Sequence, residues 1–290
     1  MEIEIIELTQ NIKKRHNTMA RMAQTDLPFD EPSIFTPKDI LEEVMRRRGI
    51  RHEDVPPVCL IAYSQKILNL AREHFNYRFK EHDIGTSIPV PIYFFSPLKC
   101  PPFGIIVPQP GDANAAIVVE ELSYMGFQDF LSTGTMGHPT ALEIPELQIG
   151  GLALVRQALS YEGTSRHYTP KTILAPDVTL TDTLKKLLQE DSIHFVEGTI
   201  ATTSGFYRET PSFIRQIIAR GTIGVDMETS ALFATAGYCK KRIASLLYIS
   251  DFVKLHKDTA VWDMRFLDQK VQEAAEQVFG LACKVIDRIS

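Results

Sequence analysis

The sequence predicts an α/β protein: a single domain on a central mixed, mainly parallel twisted sheet flanked by helices, preceded by an N-terminal helical extension. Three observations lead there. Continuous Val/Ile/Leu runs alternate with helix-period stretches, the texture of strands buried on both faces. Polar, Gly-containing segments follow several of those runs, and open α/β sheets bind ligands beyond the carboxyl ends of their strands. No internal repeat, low-complexity tract or linker interrupts the chain after Val58. The expected division is therefore residues 1–57 as the extension and 58–290 as the main domain.

In chain order, Glu2 to about Ala23 reads as a polar amphipathic helix, followed by the connector QTDLPFDEPSIFTP. The stretch TPKDILEEVMRRRG is a capped helix, with Thr36 as N-cap, Pro37 at the first position, Asp39 in the first turn and Gly49 as the stop. VCLIAYS is a buried strand running into the helical QKILNLAREHF. Further strands are expected at FGIIVPQ, DFLSTG, GGLALVRQAL, HFVEGTIATT and RIASLLYIS, and a final helix from Trp262 to Ile289. With 290 residues, 44% of them hydrophobic, the chain can bury a sizeable core. A net charge of -5 argues against a nucleic-acid polymer as partner. No apolar run reaches the roughly 20 residues of a membrane span, and the acidic start MEIEIIELTQ lacks a signal-peptide shape. Four cysteines, Cys59, Cys100, Cys239 and Cys283, are far apart with no CxxC pair. That spacing points to free thiols in a reducing cytoplasm rather than a disulfide framework or a metal site.

Four segments carry groups able to do chemistry. In VDMETSAL (Val225–Leu232), Glu228 enters at the start of a small-residue helix, where an ionised, acceptor-only carboxylate can take hydrogen bonds from a sugar diol. Met227 beside it offers an adaptable apolar surface, whereas Asp226 reads as a capping or structural residue. STGTMG (Ser132–Gly137) combines glycines with the hydroxyls of Ser132, Thr133 and Thr135. It is either an anion-binding nest or turn punctuation, and it matches neither the Walker nor the GxGxxG pattern. EGTSRHY (Glu162–Tyr168) is dense in hydrogen-bonding groups, and a solvated loop is its simpler reading. YISD ends in Asp251, directly after an apolar run. That residue is either a cap or a partly desolvated carboxyl able to deliver a proton near neutrality.

Taken together and in this order, these segments resemble the nucleoside phosphorylase and nucleosidase superfamily, from Val58 to the C-terminus. VDMETSALFATAGYCKKRIASLLYISD is similar to the family's ribose motif, helix, strand and Ser-Asp ending. EGTSRHYTP, DMET and SD look closest to AMP nucleosidase and archaeal-type nucleoside phosphorylases. The resemblance implies a phosphorylase/hydrolase-like fold, no cofactor, inorganic phosphate as the co-substrate of any phosphorolytic member, and a small-molecule nucleoside or nucleotide as partner. It also implies a homo-oligomer, dimer or hexamer. Carried over by position, Met227 and Glu228 would hold the ribose and Asp251 would serve N7 of a purine. Phe206 and Ser204 would face the base. Thr135, with Gly134 and Ser132, would lie on the phosphate or water side. The uridine-type members lack the Asp, so Asp251 favours a purine.

The sequence also departs from the family. The Gly-Asp-Pro turn and the phosphate arginine expected after the first strand are replaced by AYSQKI, with Tyr63, Ser64 and Ile67. The second phosphate arginine is replaced by Ser132. Losing two guanidiniums removes the strongest bidentate anion contacts. Arg78, Arg166 and Arg208, with His167, are the substitutes available for an anion or substrate contact, and Glu162 is a candidate base for activating water. The expectation is therefore cleavage of the N-glycosidic bond of a purine nucleoside or nucleotide, with hydrolysis of the AMP-nucleosidase kind ahead of phosphorolysis of a purine nucleoside or uridine through a rebuilt phosphate site. A non-catalytic nucleoside-binding protein is the alternative from another class.

Overall fold

The structure, a computed structural model, describes residues 31–75, 79–84, 90–98, 100–140, 144–255 and 259–289. The expected helix Glu2–Ala23 and Arg78 lie outside the described residues. Compactness divides the chain into Met1–Ser33 and Ile34–Ser290, and the second of these carries the architecture.

Helix α1 (Pro37–Arg48) forms as its sequence suggests. The Thr36 N–H donates to Asp39 Oδ2 at 2.7 Å, and Gly49 closes the helix in the left-handed region at φ 66°. Its inner face buries Leu41 and Met45 in the same core cluster as Val119 and Leu122 further along the chain. The expected boundary at residue 57 is thus no break in packing: α1 belongs to the body, because two large apolar side chains one turn apart need a core to bury them.

Strand β1 (Val58–Ala62) shows why both faces of the sheet are covered. Cys59 and Ile61 enter one core cluster, Val58, Leu60 and Ala62 the other, following the period-two alternation of a strand. The first cluster holds the inner faces of α1, α3 (Asp112–Met125) and α6 (Thr229–Tyr238). The second holds those of α2 (Gln65–Phe75), α4 (Val178–Glu190) and α7 (Gln269–Ile289). A further helix, α5 (Pro211–Ala219), packs Ile214 and Ile217 in a smaller cluster. No helix among the described residues is long and apolar enough to cross a membrane.

The remaining strands are β2 (Phe79–Ile84), β3 (Val90–Phe95), β4 (Phe103–Ile106), β5 (Asp129–Pro139), β6 (Leu152–Ser160), β7 (Ile173–Leu174), β8 (Phe195–Thr202), β9 (Thr222–Asp226), β10 (Arg242–Leu255) and β11 (Ala260–Met264). The sheet order is β11-β10-β6-β8-β9-β5-β1-β4-β3-β2, with β7 beside β6. The β1, β4, β5 and β10 neighbours and the β6-β8-β9 run pair parallel, while both ends of the sheet are antiparallel. Because β5 pairs with β10 as well as β9, the strands β10, β6, β8, β9 and β5 close into a ring. Arg242 clamps that ring at the start of β10, with Nε and Nη2 each 2.5 Å from the Asp129 carboxylate.

Two expected elements differ. STGTMG is not a loop but the continuation of β5, because β10 supplies a full-length partner for its backbone. The last helix begins at Gln269 rather than Trp262: Ala260–Met264 instead pairs antiparallel with β10, as a hairpin the apolar pattern did not signal.

The ring closes narrowly. β9 meets β5 at the Gly137–Val225 register, beside Gly224, where an added Cβ would come within 2.5 Å of Met136 Sδ and 3.2 Å of the Gly137 carbonyl. Met136 is itself 1% exposed, so it has little room to give. Gly224→Ala is expected to lower unfolding stability by about 1–3 kcal/mol in a denaturant titration. An unchanged midpoint would mean that the seam yields freely.

Candidate active site

The junction of β9 and α6 places two acidic residues in different surroundings. Asp226 ends the strand and is fully engaged by donors. Its Oδ1 accepts from Thr202 Oγ1 at 2.7 Å, and its Oδ2 accepts from Thr229 N at 2.9 Å and Thr229 Oγ1 at 2.5 Å. Burial pushes this carboxyl up and those donors pull it back, and its task is to cap α6. Glu228 is the N-cap residue by position, but its side chain turns away from the helix. Its Oε1 accepts from Gly111 N at 2.7 Å and its Oε2 from Met227 N at 3.3 Å. Gly111 reaches that position at φ 114°, which suits glycine. Burial, then the neighbouring charge of Asp226, raises the Glu228 carboxyl above its ordinary range.

Asp251 owes its orientation to an irregularity in β10. The β10–β5 register runs Ile249↔Met136 and then Asp251↔Gly137, so Ser250 is an extra residue. Such a bulge re-aims the side chains next to it. Asp251 Oδ1 accepts from Ser250 Oγ at 2.7 Å and Oδ2 accepts from Trp262 Nε1 at 2.8 Å, the indole arriving on β11. Gly137 makes room for this carboxylate: a Cβ there would stand 2.8 Å from Asp251 Oδ2. Burial raises the Asp251 carboxyl, and the Ser250 and Trp262 donors oppose that rise. Nearby Glu209 is pushed up to about 7, by burial and then by the Asp251 charge.

These groups share one cavity of about 660 Å³. One side is aromatic, with Trp262 edge-on to both Phe206 and Phe266 at centroid distances of 6.0 and 5.9 Å. Thr135, Gly137 and Met227 line other parts of its wall. Tyr63 closes the end of β1, its amide bonded to the Thr133 carbonyl at 2.9 Å and its Cβ resting over Gly134. Its hydroxyl is buried with no hydrogen-bond partner among the described residues. Burial and the charges of Glu228 and Asp226 raise this phenol, so it remains protonated and able to donate. Four carboxyls line the cavity, and no Lys, Arg or His does so among the described residues.

Met227, Glu228, Asp251, Phe206 and Thr135, singled out from the sequence, therefore meet around a single space. Others do not reach it. Ser132 is buried inside β5, Gly134 lies under Tyr63, and Ser204 is exposed away from the wall. Arg166 and His167 are exposed on a short 3₁₀ turn, and Arg208 is exposed beside Gly205. Glu162 is buried under donors: Ser160 Oγ at 2.7 Å, Ser230 Oγ at 2.8 Å and Ser165 N at 2.9 Å. A carboxylate so occupied ties its turn to α6 and does not face the cavity, unlike the water-activating base anticipated from its position. Sequence reasoning missed Glu209 and Trp262. The one signal that could have found Glu209 is its place three residues after Phe206. Trp262 lay hidden in a segment read as helix.

The family model described as "Phosphorylase superfamily" matches residues 58–287. Uridine phosphorylase of Treponema pallidum is 26% identical over 217 residues, spanning 69% of this chain and 80% of that protein. Among solved structures, the purine nucleoside phosphorylase of Toxoplasma gondii superposes with a TM-score of 0.67 at 18% identity, over 82% of this chain and 93% of that one. AMP nucleosidase of Bacteroides thetaiotaomicron gives a TM-score of 0.64 at 22% identity, over 87% and 98%. The expected α/β architecture is thus shared with both structures.

Glu209 supplies a test of the electrostatics. Its carboxyl rises from 4.5 to about 7 on folding, so wild-type stability is lost as pH climbs through that interval. Glu209→Gln does not titrate, and it is expected to be more stable than wild type by roughly 1–3 kcal/mol near pH 8.5, with the difference vanishing near pH 4. Thermal melts across that range check it. A constant difference at all pH values would contradict the raised carboxyl.

Proposed function

The chain belongs to the phosphorylase superfamily, and from that premise we propose that it hydrolyses the N-glycosidic bond of a purine nucleoside. Its relatives are nucleoside phosphorylases and nucleosidases, which cleave N-ribosyl bonds. One observation carries the choice of hydrolysis: the described cavity wall holds four carboxyls and no cationic side chain. A phosphate anion would find no charge-assisted donor on that wall, whereas neutral water and a neutral nucleoside need none. The exposed positions of Arg166 and Arg208, off the wall, favour a nucleoside without a 5′-phosphate.

In this reading, ionised Glu228 accepts from the ribose 2′- and 3′-hydroxyls while the Gly111 and Met227 amides hold it in place. The purine lies against Phe206 and Trp262, with N7 toward Asp251. As the C1′–N9 bond breaks, its electron pair moves into the purine. Asp251 gives its proton to N7, which stabilises the departing base in the transition state. Water adds to C1′ from the side of Thr135 and Tyr63, and the proton it loses restores Asp251 through solvent. The Treponema pallidum relative favours a second reading, phosphorolysis. That reading needs a cation from beyond the described wall, such as one brought by a second copy of the chain.

The test is base release from adenosine, inosine, guanosine, AMP and uridine, with and without phosphate. The expected outcome is purine release indifferent to phosphate, with free ribose as product. A phosphate requirement with ribose 1-phosphate formed would overturn hydrolysis, and release from AMP alone would overturn the nucleoside. Asp251→Asn is expected to lower kcat by about 10²–10⁴-fold. Glu228→Gln is expected to lower kcat/KM by roughly 10–100-fold, the loss of a charged acceptor.

The pH profile follows from the same two groups. Ribose binding needs ionised Glu228, so it weakens as pH falls through that residue's raised pKa. Proton delivery needs protonated Asp251, also raised by burial, so activity declines as pH rises through it. A bell-shaped kcat/KM profile with both limbs above the ordinary carboxylate range is expected. A flat profile would remove Asp251 from the chemistry.

A further inference from the structure

We infer that Trp262 is a positioning residue: its indole N–H fixes which oxygen of Asp251 carries the proton, and its ring ties that orientation to the wall that holds the base. The inference rests on the hydrolytic reading only for the role of Asp251, and its structural half stands on geometry. An indole N–H donates and never accepts. At 2.8 Å from Asp251 Oδ2 it therefore holds that oxygen as an acceptor. The same oxygen faces Gly137, where even a methyl group would come within 2.8 Å. Oδ2 is thus enclosed by donor and backbone. Oδ1 is the other oxygen, and its neighbour, the Ser250 hydroxyl at 2.7 Å, is able to donate or to accept. The transferable proton consequently rides on Oδ1.

The proton-transfer step balances on those atoms. The Oδ1–H bond breaks, the N7–H bond forms, and the C1′–N9 pair passes into the imidazole ring. Asp251 is left as a carboxylate that accepts from Trp262 and Ser250. Trp262 therefore stabilises the ionised product of the acid, which makes Asp251 a better proton donor.

The ring has a second task. Trp262 is edge-on to Phe206 and Phe266, and Val253↔Trp262 is a register pair of the hairpin. The side chain that orients the acid also forms the aromatic wall against which a purine would lie. Other charges bear on Asp251 as well. Glu209 from the segment after β8, Asp226 and Glu228 from the end of β9, and Tyr63 from the end of β1 share its cavity. On its own hairpin, Lys254 and Arg265 are paired with Asp263.

Trp262 is the chain's one tryptophan, so its fluorescence reports on this contact without requiring turnover. The first measurement is the emission of the full-length protein against pH. A step is expected as Asp251 titrates, and it should be lost in Asp251→Asn. The second is the activity profile of Trp262→Phe, which keeps an aromatic ring and removes the N–H. Its kcat is expected to fall about tenfold, with KM changed less than threefold. Its alkaline limb should move upward by about half to one pH unit, because a lost donor leaves the Asp251 carboxyl weaker as an acid.

Emission indifferent to pH, or a step that survives Asp251→Asn, would overturn the contact. An alkaline limb unmoved in Trp262→Phe would overturn its consequence for the acid. A role confined to packing would raise KM or lower stability and leave the limb in place. Absence of base release from the unsubstituted enzyme would instead sink the proposed function, and the emission step would still decide whether Trp262 holds Asp251.

Discussion

The arrangement of this protein depends on how one strand shares its edge. Along one side β5 is paired with β10 from Asp129 to Pro139; along the other it is paired with β1 up to Thr133 and then with β9 at Gly137. Between those two partners the edge is free, and the cavity opens there. Tyr63 turns away after its last backbone bond to Thr133, while β9 arrives four residues further on. This is a change of strand neighbour of the kind at which α/β sheets hold ligands, because backbone groups released from pairing and side chains from diverging strands face a common space. The eleven residues of β5 are long enough to serve both neighbours. Shortening that strand would remove either the ring closure or the gap.

Around that gap, carboxyls of similar intrinsic acidity take on different tasks according to the donors they meet. Asp226 has three and is consumed by capping. Glu228 has two backbone donors, one of them a long bond at 3.3 Å, and keeps lone pairs for a ligand. Asp251 has one donor on each oxygen, one fixed and one free to rotate. Glu209 feels chiefly burial and a like charge. Environments that push such pKa values apart are the usual basis for separating acid, acceptor and scaffold roles among identical groups. Glu162 belongs to the scaffold by the same criterion, since its three donors leave little for anything else.

The cost of gathering four carboxyls is also what shapes the reaction proposed for them. Each is held in a partly desolvated wall without a cationic neighbour on that wall among the described residues. Water can approach such a surface, and a sugar diol can donate to it. An anion finds no cationic partner on that wall among the described residues. Where a phosphorylase of the pattern laid out above would turn through Gly-Asp-Pro, this chain presents Tyr63, whose buried hydroxyl is a donor without charge. The same substitution explains the glycine beneath it: Gly134 lets the Tyr63 ring settle on β5, with 3.1 Å between its hypothetical Cβ and that of the tyrosine.

The class of the fold could be read from the sequence alone, and so could several residues that gather at the cavity. Buried Val/Ile/Leu runs alternating with amphipathic helices leave few architectures open, and Met227, Glu228 and Asp251 stood out because they sit in local motifs, a strand-to-helix junction and the end of an apolar strand run. Features that depend on partners distant in sequence emerged only in the folded chain. STGTMG became strand because β10 lay alongside it. Its glycines proved to be clearances for Tyr63 and Asp251 rather than an anion nest. Glu162 and Ser132 withdrew from the cavity because their neighbours claimed them. Trp262 entered it because an antiparallel hairpin replaced the expected helix turn. Periodicity records which face of an element is buried; it carries no record of what lies across from that face, and hydrogen-bond partners and desolvation are set there.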